Sequence, residues 1–212
     1  MEIYYLYALI FFYSLIQSIF GIGLLLFGTP SLIILGYSFT ETLWILLPAS
    51  CALSLFQIIE NRQLIESKRQ AYFLTIPALV ASLILIIKLD YFIDIKKIVG
   101  FFLLLTAALR LSDVANKWSA RWVKKSKGFM YILIGSIHGI SNLGGAPLSV
   151  LSSSLYSDSN VIRANIAFVY FILALSQLGV LFIFEPAFFS SQHLIFIPLV
   201  LLNHMLVKKV LF

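Results

Sequence analysis

The charged residues of this chain stand in short connectors between long apolar runs. The runs fall at about 3–36 (interrupted), 42–59, 71–87, 95–111, 128–155 (interrupted), 164–184 and 193–207. Roughly 20 apolar residues in helical form cross a ~30 Å hydrocarbon core, and only a helix or a closed barrel satisfies its own backbone there. Hydrophobic residues make up 61% of the 212 and charged ones 11%, with a mean hydropathy of +1.01. A soluble domain has no way to hide so much apolar surface. The fold class that follows is an all-α polytopic membrane protein.

The same reading disposes of the basic balance. A net charge of +6 and a pI near 9.4 suggest nucleic acid in a soluble protein, but basic residues in membrane loops are topology signals first. The lipid bilayer is the expected partner and nucleic acid is not. The single Cys51 lies in an apolar run, which excludes an intramolecular disulfide and suggests no thiol metal site. Met1-Glu2-Ile3 has no basic n-region and its apolar run outlasts a signal peptide, so a retained first helix is expected.

Both interrupted runs are broken in the same way. Ser18-Ile19-Phe20-Gly21-Ile22 is closed by Gly28-Thr29-Pro30, and Ser136-Ile137-His138-Gly139-Ile140 by Gly145-Ala146-Pro147. Further pairs follow in order: Ala52-Leu53-Ser54 with Ala174-Leu175-Ser176, Ile76-Pro77 with Ile197-Pro198, and Lys96-Lys97 with Lys208-Lys209. An ordered set of this kind points to duplication. The division is a first membrane repeat at 1–111, a basic cytoplasmic linker at 112–127, and an incomplete second repeat at 128–212. Lys96-Lys97 opens a helix, whereas the matching lysines stand three residues before Phe212, so the last helix of the second repeat is expected to be missing. A partner helix or a second copy of the chain is one way to cover the surface so left.

Topology follows from the 15 Lys and Arg. If both broken runs crossed the membrane, nine would lie on one side and six on the other. If both are re-entrant hairpins, only Lys88, Lys96 and Lys97 lie on one side and the other 12 on the opposite one, which the positive-inside rule favours. A hairpin plus three crossings is an odd unit, so the second copy is inverted, with paired broken helices at the repeat interface.

The chemistry is expected at these breaks. Glycine permits the turn, a proline near a helix start lacks an amide that would be unpaired anyway, and the helix entered there points free N–H groups and a positive dipole end at the loop. The expected anion-binding residues are His138, Ser141, Asn142, Gly144 and Gly145 from the second break, Gln17 and Thr29 from the first, and Gln177 from a neighbouring helix. Gln57, Asn165 and Ser176 are weaker candidates, with Gln57 and Asn165 read as bordering the interface, as are His193 and His204. No enzyme constellation is present: there is no His-Glu-x-x-His, Cys pair or P-loop. Ser141 beside His138 lacks the base geometry of a serine hydrolase. Neither a cofactor nor a metal is expected.

The segments GSIHGISNLGGAPLSV (135–150) and SIFGIGLLLFGTPSL (18–32), with the half-length repeat, resemble the sulfite exporter TauE/SafE-like permeases. The second segment matches the Gly-rich pattern, while the first has Leu24, Leu25 and Leu26 where glycines are expected. The resemblance implies secondary transport or facilitated movement of small anions across the cytoplasmic membrane. The substrates implied are sulfur-containing (sulfite, sulfonates, thiosulfate-like ions) or related organic acids. It also implies eight helices, more than this chain supplies. The competing class is a non-transporting subunit or scaffold derived from such a permease.

Overall fold

A computed structural model describes residues 2–66, 68–89, 94–111, 122, 123 and 125–211. Among these every regular element is helical. Residues 112–121 and 124 of the expected linker lie outside the described residues.

The first broken run forms α1 (Glu2–Phe20) and α2 (Leu24–Ile34). The turn between them needs Gly21, whose φ of +78° lies in the left-handed region. After it the chain doubles back: the Tyr13 hydroxyl meets Ser31 Oγ at 2.9 Å and the Tyr13 and Phe27 rings lie 5.8 Å apart. The expected helix start at Pro30 is corrected here. Leu24-Leu25-Leu26 are good helix formers, so α2 begins there and Pro30 lies inside it. Only the one bond that its missing N–H would make is lost.

A capping box opens α3 (Phe39–Asn61): Glu41 N–H donates to Ser38 Oγ at 3.2 Å and Ser38 N–H to Glu41 Oε2 at 2.8 Å. After a 3-10 turn at Arg62–Leu64, a helical turn at Lys68–Gln70 and a π-helical segment at Ala71–Thr75 lead into α4 (Ile76–Leu89). Next comes α5 (Ile95–Leu111). The second broken run gives α6 (Lys127–Ser141) and α7 (Gly145–Leu155). Asn142 ends α6 as a left-handed cap at φ 62°, the conformation Asn tolerates best among non-glycines. Here Pro147 stands near the helix start, as expected. Asp158 caps α8 (Ser159–Phe184), and α9 (Phe196–Leu211) follows a 3-10 turn at Ser191–Ile195.

Four helical stretches are long and apolar enough to cross a membrane: Phe39–Leu64, Ala71–Leu89, Ser159–Phe184 and Ser191–Val210. Burial separates them. In α3 and α8, 67% and 61% of the spanning window is buried, against 22% and 28% in the stretches containing α4 and α9. Helices α3 and α8 therefore pack on each other as the core pair, with α4 and α9 outside them. Outward-facing Phe73, Leu104, Ile183 and Val210 are each more than 70% exposed, a surface suited to lipid. At about 1.5 Å per residue, α2 and α7 reach only ~16 Å, half a bilayer core.

Each hairpin packs its first helix, in parallel, on an outer helix from the opposite half. On α1, Tyr7 stacks edge-on with Phe196, and Asn203 Nδ2 donates to the Phe11 carbonyl (3.0 Å) and to Ser14 Oγ (2.7 Å). On α6, Gly128, Gly135 and Gly139 lie successively against Leu74, Thr75–Leu79 and Leu79–Leu83. The ends of the bundle also differ in charge. Lys96 and Asp94 sit beside Tyr37–Phe39 at one end. At the other, Lys208 bonds Glu60 and Asn165 clamps the 64–66 turn.

Candidate functional site

What a hairpin tip offers depends on how its helix stops and the next one starts. At the first tip the orphan amide of Leu24, first in α2, donates to Gln17 Oε1 at 3.3 Å. Gln17 Nε2 donates to Ser54 Oγ on α3 at 3.2 Å, and the Gln17 carbonyl accepts from Gln57 Nε2 at 3.3 Å. Gln17 thus serves as a buried cap that ties the tip to α3. Gln57, expected at the interface, is buried in the same knot.

At the second tip no side chain caps α7. Gly144 lies so close to the His138 side chain and the Ile134 carbonyl that a Cβ there would stand 2.6–2.7 Å from them. A Cβ on Gly145 would collide with the Tyr170 hydroxyl. Neither amide N–H of this glycine pair has a partner among the described residues. They form the positive end of α7.

The two hairpins overlap side by side, and they are joined by one buried bond: Asn142 Nδ2 donates to Thr29 Oγ1 at 2.8 Å. Thr29 is next to Pro30, so the segments around Pro30 and Pro147 do meet within the bundle. Asn142 Oδ1 has no partner among the described residues. Ser141, by contrast, is engaged locally, since its hydroxyl donates to the Ile137 carbonyl at 2.8 Å and accepts from Leu143 N–H at 3.4 Å.

Around this joint stands a polar set whose hydrogen bonds are not completed among the described residues. Gln177 on α8 stands beside the imidazole of His138, near enough to act on it as a hydrogen-bond partner, but among the described residues no well-formed hydrogen bond reaches either ring nitrogen or either Gln177 amide atom. Tyr170, about two helical turns nearer the start of α8, meets the His138 ring at 5.8 Å, and its hydroxyl also has no partner among the described residues. All three side chains are fully buried. Unsatisfied buried polar groups are few in native folds and each calls for an explanation. A group of them, all able to donate and set around a helix N-terminus with no formal charge, suits a small anion held by dipoles and N–H or O–H groups.

Of the eight residues expected from sequence, Thr29, His138, Asn142, Gly144, Gly145 and Gln177 come together here. Gln17 caps the first tip, and Ser141 is turned into its own helix. Sequence reasoning missed Tyr170, an aromatic within an apolar run; only its packing on Gly145 reveals it. Among the described residues no group of three or more His, Cys, Asp or Glu is placed to hold a metal. His204 and Asn165, expected at the interface, are buried at the Lys/Arg-rich end, where His204 Nε2 meets Glu60 Oε2 at 3.0 Å.

A family model described as sulfite exporter TauE/SafE matches residues 6–207. No curated protein and no solved structure matches the chain.

Proposed function

This chain belongs to the sulfite exporter TauE/SafE family, and from that premise we propose that it moves small sulfur-containing anions across the cytoplasmic membrane as a secondary transporter or facilitator. The observation that carries the reading is the overlap of the two hairpins at Asn142 and Thr29, beside polar atoms of His138, Gln177 and Tyr170 whose hydrogen bonds are not completed among the described residues. Sulfite or a sulfonate presents three oxygens. The N–H groups of Gly144 and Gly145, the Gln177 amide, the Tyr170 hydroxyl and a His138 N–H supply donors for them without a fixed cation. Binding of that kind is weak enough to permit release.

An inverted duplication supports the transport cycle. The parallel packing of α1 on α9 and of α6 on α4 exchanges partners between the halves, as two inverted copies would. Relative rocking of the halves about α3 and α8 then shifts the hairpins past each other and opens the joint first to one side and then to the other. The Lys/Arg-rich end is the cytoplasmic one on this reading.

Flux of sulfite, thiosulfate and a small sulfonate into proteoliposomes tests the proposal. The expected result is saturable flux of at least one of them, reduced at least ten-fold by Asn142→Ala in a variant that still folds. No flux of any anion by well-folded protein rejects it.

A further inference from the structure

The contacts between helices come in exchanged pairs. Where α1 packs on α9, α6 packs on α4; where α9 packs on α3, α4 packs on α8; and α2 on α3 is matched by α7 on α8. Helix α5 breaks the series. It packs on α2 and on α6, and the exchanged position, against α7 and α1, holds no corresponding outer helix among the described residues.

A groove of about 660 Å³ lies at that position. Its largely apolar walls include Ile16 and Phe20 of α1, Ala146 and Ser153 of α7, and Leu103 and Ala107 of α5. A water molecule takes ~30 Å³ in the liquid, so the groove has room for several large side chains. The helix that forms one wall is itself open to lipid. Going round α5 from Leu103 and Ala107, the helical period brings up Leu104, then Ala108 and Phe101. All three are exposed, Leu104 by 72% and Phe101 by 61%. Groove and ridge therefore adjoin on one face of the molecule.

We propose that the groove seats α5 of a second copy, so that the chain forms a two-fold dimer in the membrane. Leu104 and Phe101 of each copy enter the groove between α1, α5 and α7 of the other, a closed isologous contact that covers both open surfaces of both copies at once. The axis stands along the membrane normal and the two α5 helices run parallel. Lys97, on the same stripe of α5 as Leu104, is paired with Asp94 at 3.3 Å, so the like charges that a parallel pair brings together arrive already neutralised. Acyl chains also fill apolar grooves, but the exchanged position on α2 and α6 is taken by a helix, and α5 both walls the groove and lacks cover of its own. A helix seated there shields the outer side of the turn that carries the Gly144 and Gly145 amides, since Ala146 follows them directly and lines the groove.

Single cysteines in a Cys51→Ala background test the contact. They are carried on two differently tagged copies of the full chain, reconstituted together at high lipid excess, so that any cross-link between tags joins two molecules. Leu104→Cys is expected to cross-link to Leu104→Cys and to Ser153→Cys of the other copy, about ten-fold more than Leu175→Cys does to itself. Leu175 is also exposed, but lies on the face of α8 opposite the groove residues Ile162 and Ile166. In dilute vesicles, counting the bleaching steps of one fluorophore per chain is expected to find the parent mostly in pairs. Ser153→Trp fills the groove from an exposed position and is expected to weaken pairing about ten-fold, the loss of roughly 1.4 kcal/mol, with the unfolding temperature near the parental value. Single molecules throughout, pairing indifferent to Ser153→Trp, or cross-links as strong at Leu175→Cys as at Leu104→Cys overturn the proposal. So does capture by Ser153→Cys of another polypeptide, or of a reactive lipid, in place of the second copy.

Discussion

Tyr170, His138 and Gln177 each bury polar atoms for which the described residues complete no well-formed hydrogen bond. An unsatisfied buried group lowers stability by about 1–3 kcal/mol, so here stability and function separate by residue. Tyr170→Phe removes only the hydroxyl. It is expected to leave the unfolding temperature unchanged or higher while sulfite flux falls at least ten-fold, the effect of losing a donor to a charged ligand. Thermal unfolding and flux on one preparation check both halves, and flux at the parental rate removes Tyr170 from the site. Thr29→Val works in reverse. It strands Asn142 Nδ2, whose 2.8 Å bond joins the hairpins, and should destabilise by about 1–3 kcal/mol, whereas Thr29→Ser should restore most of that loss in denaturant unfolding. Asn142 and Thr29 were legible in the sequence because polar residues beside a Gly/Pro break stand out against an apolar run. Tyr170 was not, since an aromatic there reads as core, and its role depends on a contact with Gly145 from another helix.

At the scale of elements, the close pairs are made by small residues where two helices run parallel. Gly135 and Gly139 press α6 onto α4 so tightly that a Cβ on Gly135 would collide with the Thr75 carbonyl just before α4, and one on Gly139 with Ser82 Oγ and the Leu79 carbonyl. Gly139→Ala should therefore destabilise by several kcal/mol, in the range of overpacked cores (about 1–3 and sometimes more). Gly100→Ala is the internal contrast. It lies within α5 with nothing within 4 Å of its Cβ position, and should stabilise by about 1 kcal/mol through helix propensity alone. Denaturant unfolding in detergent that finds the two substitutions alike would undo this account of the α4–α6 contact. The hairpins themselves were readable, because Gly21 and the Asn142–Gly145 stretch stop a helix by local chemistry. The start of α2 was misplaced at Pro30, since Leu24-Leu25-Leu26 resume the helix at once and Gln17, seven residues back, caps it. That hydrogen bond spans a turn whose course no local pattern reveals.

Over the whole molecule, the order of crossings is set by charge and by how many times each half traverses the bundle. If α1–α2 and α6–α7 are hairpins, Lys96 and Lys209 face opposite sides and residues 4 and 35 face the same side; if both runs cross fully, each relation reverses. The structure favours the first arrangement: Tyr7 lies against Phe196 at the end where α2 also finishes near Asp94 and Lys96, while α9 carries Lys208 to Glu60 at the other end. Single cysteines at Tyr4, Leu35, Lys96 and Lys209 in a Cys51→Ala background, probed in intact vesicles with an impermeant maleimide, report this directly, since all four parent side chains are exposed. Tyr4→Cys, Leu35→Cys and Lys96→Cys are expected to label from one face and Lys209→Cys only from the other. Labelling of Tyr4→Cys and Leu35→Cys from opposite faces makes the first run a full crossing. Each half would then cross an even number of times, the two copies would lie in the same sense, and the exchange of partners between α1 on α9 and α6 on α4 would lose its origin in inversion.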